Sequence, residues 1–138
     1  YLETTENNNL SNVLQDILDT PVSPELLPPK DGMISQKTEN LVGPYELHDF
    51  YMYYVLRYGF SPEKILLLAD NSSLPYSHEL KLHWLRNFYT RFFAQQFKRS
   101  CMPDGVKVGT ISLSPRGDWK MPSDSSCAVW LEQIDKLK

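Results

Sequence analysis

The apolar positions of this chain fall into five runs with a helical repeat, interrupted by two stretches that have none. Leu10, Val13, Leu14, Ile17 and Leu18 recur at spacings of three and four. They predict a short amphipathic helix to about Asp19, capped by Ser11, with the polar residues ahead of it fraying. Pro21, Pro24, Pro28, Pro29 and Gly32 then erase any period, so residues 21–41 read as a long irregular, flexible loop. Order resumes at Gly43-Pro44, with the proline suited to a first helical turn. Leu47, Phe50, Tyr51, Tyr54 and Tyr58 share one face of the helix that follows, away from Glu46, Asp49 and Arg57, and Gly59 stops it. An aromatic stripe of this kind belongs to a core or a subunit interface.

Ser61-Pro62-Glu63 combines a cap, a first-turn proline and a first-turn acid, which favours a helix over a buried strand for Ile65 to Ala69. Ser77 caps a longer helix whose buried face is Leu80, Trp84, Leu85, Phe88, Phe92 and Phe93. That helix is expected to reach about Phe97 and to deliver Lys98 and Arg99 at its C-terminal end, where the helix dipole favours cations. Ser123-Asp124 offers the cap for a last helix carrying Cys127, Trp130, Leu131, Ile134 and Leu137. The expected chain is therefore mainly α: four to five helices, a Pro-rich loop over 21–41 and a second loop over 98–124.

Composition narrows the function classes. A chain of 138 residues, 41% hydrophobic and 22% charged, fits one globular domain rather than a disordered segment. Two cysteines make no framework, and no apolar run approaches 18 residues, so a cytoplasmic protein without membrane spans is expected. His48, His78 and His83 lack metal-ligand spacing, and no serine or cysteine has the setting of a nucleophile. No metal site and no hydrolase chemistry are expected.

Charge points to the second loop. From Lys98 to Lys120, the cations Lys98, Arg99, Lys107, Arg116 and Lys120 stand against Asp104 and Asp118, giving +3 in a chain whose total is −3 and leaving −6 elsewhere. Clustered cations repel one another unless an anion settles among them, and three glycines and two prolines leave backbone N–H groups free to meet phosphate. A solvated surface loop, with Arg116 paired to Asp118 or Asp124, is the plainer alternative. A nucleic-acid module stacking bases on Phe97 and Trp119 is a third, opposed by the acidic remainder. A helical oligomerisation domain using the Leu47–Tyr58 stripe is a fourth.

Residue identity goes further. Gln-Phe-Lys-Arg-Ser from Gln96, Pro-Asp-Gly-x-Lys-Val-Gly from Pro103 and Leu-Ser-Pro-Arg-Gly-Asp-Trp-Lys-x-Pro-Ser-Asp from Leu113 resemble the C-terminal end of the glutamine-dependent NAD synthetases. Thr20-Pro-Val-Ser-Pro-Glu-Leu-Leu-Pro and Gly43-Pro-Tyr-Glu-Leu-His-Asp-Phe match the same family in the same order, so the resemblance runs from about Asn12 to Leu137. The family's Ser-Gly-Gly-x-Asp-Ser loop and its glutaminase domain are not in this sequence. The resemblance therefore implies a piece of a larger homo-oligomeric enzyme, inactive alone, from an α/β ATP-pyrophosphatase-type synthetase domain.

That family uses ATP and Mg²⁺ to adenylate a carboxylate of nicotinic acid adenine dinucleotide, releasing pyrophosphate. Ammonia from glutamine then displaces AMP. Lys98 and Asp118 match residues near the dinucleotide, a cation for its carboxylate or phosphate and an acceptor for its nicotinoyl or ribose end. Arg99 and Arg116 are further candidates. Ser23, Glu25, Gln36 and Glu39 fall in the family's lid over ATP, although the spacing around Ser23 and the Lys37-Thr38 pair depart from the family pattern.

Overall fold

A computed structural model describes residues 8–20, 39–107 and 109–138. The chain divides into two compact units, Tyr1–Leu41 and Val42–Lys138. In the first, α1 (Asn8–Asp19) starts ahead of Ser11, which lies within the helix instead of capping it. The first apolar member of the repeat, Leu10, is thereby helical too. Gln15 Nε2 donates to Asp19 Oδ1 at 2.8 Å and Thr20 Oγ1 to the Asp16 carbonyl at 2.9 Å, closing the last turn. Ser23, Glu25 and Gln36 lie outside the described residues. The end of the stretch read as irregular forms a short helix, α2 (Glu39–Val42), on which Glu39 is exposed.

Five helices follow Gly43: α3 (Tyr45–Tyr58), α4 (Pro62–Asp70), α5 (His78–Ala94), α6 (Gln96–Ser100) and α7 (Ala128–Asp135). No strand occurs among the described residues. The central α5 packs on α3, α4 and α7, and α4 also packs on α3 and α7. Leu47 and Tyr51 from α3, Ile65, Leu66 and Ala69 from α4, Leu85, Phe88, Tyr89, Phe92 and Phe93 from α5, and Ile134 from α7 make the core. The aromatic stripe of α3 is thus divided: Leu47 and Tyr51 are fully buried, whereas Tyr58 is exposed and stacks on Phe60.

Local signals account for most boundaries. Ser61 Oγ accepts from the Lys64 N–H at 3.4 Å and Ser77 Oγ from the Leu80 N–H at 3.3 Å, each capping its helix. Gly59 takes φ +62°, and its N–H and that of Phe60 return to Val55 and Tyr54, closing α3 in a left-handed cap.

Four expectations are corrected. The long helix stops at Ala94, where the Gln95 N–H turns back to Arg91 and Phe93. Lys98 and Arg99 ride on a separate turn, α6. The last helix begins at Ala128, because Ser125 closes a turn onto Pro122 and Ser126 Oγ, not Ser123 or Asp124, receives the Ala128 N–H at 3.2 Å. The seven helical segments of the described residues therefore exceed the four to five expected. On α5, Leu80 is exposed while Lys81 is buried. Lys81 Nζ donates at 2.8 Å to the Ala69 carbonyl, which also accepts from the Ser72 N–H and Oγ, and its own carbonyl accepts from Tyr51 Oη at 2.8 Å.

Candidate substrate-contact loop

Between α6 and α7 the chain is irregular, and its two ends rise from the same place on α5. Trp119 sets its ring edge against Phe92, with centroids 5.7 Å apart, so the indole is turned inward. On the other side, the Arg99 guanidinium lies 4.0 Å over the same Phe92 ring, donates through Nε to Gln96 Oε1 at 2.7 Å and reaches the Phe92 carbonyl. Burial pushes its pKa down. Arg99 is therefore engaged within the chain, holding the end of α5.

The loop settles most of its own charge. Lys107 Nζ pairs with Asp118 Oδ2 at 2.6 Å, and the same oxygen accepts the Ser112 N–H at 2.7 Å. Arg116 Nε pairs with Asp104 Oδ1 at 2.7 Å, and the guanidinium also donates to the Met102 carbonyl. The pairing of Arg116 with Asp118 or Asp124 is thus not what forms: the bend through Gly117 carries Asp118 toward Ser112, and Asp104 lies within reach of the guanidinium instead. These groups line a cleft of about 330 Å³ with Met102, Lys107, Ser112 and Asp118 among its walls.

Two of the five cations thus hold the two acids, and Arg99 is stacked. Lys98 and Lys120 are exposed and form no ion pair among the described residues; Lys98 Nζ stands 6.0 Å from the Phe97 ring centroid. Lys107 is the partner of Asp118 that sequence reasoning missed. Its distance in sequence from Asp118 hides the pairing, and the charge count alone gave no partner. The stacking surface of a nucleic-acid module does not form either, since Trp119 packs into the core while Phe97 is exposed. Among the described residues no group of three or more His, Cys, Asp or Glu is placed to hold a metal, and no helix is long and apolar enough to cross a membrane.

The hydrogen bond from Lys107, with the Ser112 N–H second, holds the Asp118 carboxyl below its ordinary pKa. A folded value below the unfolded one means that the pair adds stability above the ordinary carboxylate range and loses it as pH falls through the depressed value. Carbon-detected NMR titration is expected to place the Asp118 midpoint below the usual value of about 3.9, and Lys107→Ala is expected to raise it. An unshifted midpoint in the unmodified chain, or no change on Lys107→Ala, would contradict the pairing.

No family model matches the chain. Among curated proteins, the glutamine-dependent NAD(+) synthetase of Mycobacterium leprae is 42% identical over an alignment of 146 residues, covering 92% of this chain and 22% of that protein. Those of Mycobacterium bovis and Mycobacterium tuberculosis H37Rv are each 44% identical, covering 92% of this chain and 21% of theirs. The chain spans about a fifth of the length of these relatives. Over nearly all its own length it is therefore a relative of one segment of the glutamine-dependent NAD(+) synthetases, as its sequence blocks imply.

Proposed function

We propose that this chain is the C-terminal portion of the synthetase domain of a cytoplasmic, homo-oligomeric glutamine-dependent NAD synthetase. In this reading other parts of the same polypeptide complete an α/β ATP-pyrophosphatase-type fold and supply ammonia from glutamine. The substrate carboxylate of nicotinic acid adenine dinucleotide attacks the α-phosphorus of ATP and pyrophosphate leaves. Ammonia then adds to the acyl carbon, loses a proton and expels AMP. The segment here contributes contacts to the dinucleotide and, through Ser23, Glu25, Gln36 and Glu39, a lid on the ATP side. Alone it makes no NAD.

One observation carries the reading: Lys98 holds an exposed charge that no acid of the loop neutralises, at the start of the loop in which Lys107 and the Ser112 N–H hold the Asp118 carboxylate. A carboxylate or phosphate of the dinucleotide would answer the Lys98 charge, and Asp118 would accept from a hydroxyl or amide. Arg99 and Arg116 support these two from behind, through Phe92 and Asp104. Magnesium does not fit the loop, because Asp104 and Asp118 already hold Arg116 and Lys107. It travels with the ATP phosphates elsewhere. The exposed Tyr53 and Tyr58 on α3 offer apolar surface for assembly.

In the intact enzyme, Lys98→Ala and Asp118→Asn are each expected to lower kcat/KM for ammonia-supported synthesis by about ten- to a hundredfold, the loss of about 1.5–3 kcal/mol for a hydrogen bond to a charged group. Both positions are exposed, so melting temperatures are expected to stay near normal. Normal kinetics in both variants would return the loop to a solvated surface. A collapse in melting temperature for Asp118→Asn would make that residue a structural partner of Lys107.

A further inference from the structure

The two ends of the loop are tied by one buried amide. Gln96 is fully buried on α6; its Nε2 donates to the Met121 carbonyl at 2.9 Å and its Oε1 accepts from Arg99 Nε at 2.7 Å. Chemistry fixes this orientation: a carbonyl can only accept and a guanidinium can only donate, so the reverse flip would break both bonds. One residue after Gln96 and Phe97 comes Lys98, and Asp118 sits three residues before Met121. A second tie runs alongside, since the Phe92 ring carries Arg99 on its face and meets Trp119 edge-on. Both candidate substrate contacts are therefore flanked by side chains locked onto the last turn of α5.

A leucine would fill the Gln96 site and bury more apolar surface, whereas an amide there costs desolvation unless both of its ends are bonded. What the amide adds is geometry, because it joins two segments that the intervening loop would otherwise leave to its own length. We propose that Gln96 is a positioning residue, which with Arg99 sets the separation of Lys98 from the Asp118–Lys107 pair so that both meet one dinucleotide. This assignment rests on the dinucleotide reading above.

The test uses the intact synthetase that contains this chain. Gln96→Met keeps the volume and loses both bonds; Gln96→Glu keeps the acceptor for Arg99 and loses the donor to Met121. Gln96→Met is expected to raise the KM for nicotinic acid adenine dinucleotide about tenfold, with Gln96→Glu between it and the unmodified enzyme, while the KM for ATP stays within about twofold. Added to Lys98→Ala, Gln96→Met is expected to cost no more than about a further twofold, because the group it positions is already gone. Losses that multiply in full, or that fall equally on both substrates, would make Gln96 a structural residue and overturn the proposal. Wild-type KM in both Gln96 variants, beside an impaired Lys98→Ala, would overturn it while leaving the dinucleotide reading in place. A silent Lys98→Ala would instead sink that reading, and the positioning role with it. If Gln96→Met does not fold, the same comparison is made with Gln96→Glu.

Discussion

Phe88→Ala should lower the unfolding free energy by about 3–5 kcal/mol, the range for removing a large ring from a core that cannot close over the gap. Phe88 is 4% exposed, and its ring meets four others: His48 at 5.8 Å, Tyr51 at 5.9 Å, Tyr89 at 5.4 Å and Phe92 at 5.5 Å between centroids. Two of those rings come from α3 and two from α5, so the cavity would open at the helix pair on which the unit is built. Phe88→Leu keeps much of the volume and should cost less than half as much. Urea titration followed by circular dichroism would measure both. A loss below about 1 kcal/mol for the alanine variant would mean that the neighbours collapse into the space and that the core has another centre.

Gly43→Ala should be comparably damaging, for a different reason. The backbone there has φ +96°, and a β-carbon would stand 2.4 Å from Trp84 Cδ2. The conformation alone costs a side chain about 1–2 kcal/mol, and displacing a packed indole adds about 1–3 kcal/mol. Gly59 provides the comparison, since it has φ +62° with nothing within 4 Å of the added carbon. Gly59→Ala should therefore carry the backbone part only. Equal losses at the two glycines would show that Trp84 swings aside without cost.

The helices were legible because their signals are local. The period of α3, α4, α5 and α7, the serine caps at Ser61 and Ser77 and the stop at Gly59 each depend on a few neighbouring residues, and all of them form. What escaped was tertiary. Nothing between Phe93 and Phe97 is a helix breaker; the interruption at Gln95 goes with Gln96 and Arg99 finding partners at Met121 and Phe92. Lys81 looks like a solvent residue beside Leu80, yet its ammonium is received inside by the Ala69 carbonyl and, at 3.8 Å, by the Asp70 carboxylate. The site divides the same way. The resemblance singled out Lys98 and Asp118 by their motifs, but neither charge nor motif could assign Lys107 to Asp118 or Asp104 to Arg116. Those pairs depend on how the loop folds back on itself.

The Gln96–Met121 bond makes the loop a closed ring of chain with a fixed base and an outer edge that touches solvent, where Val106 is 92% exposed. For a ring of this kind, lengthening is inexpensive: doubling the number of residues costs only about 0.6 kcal/mol of closure entropy. Insertions and deletions at the edge, around Gly105 and Val106, are thus decoupled from the spacing at the base. The outer edge can therefore change length at little cost, whereas the bond from residue 96 to the Met121 carbonyl needs a side-chain donor at that position.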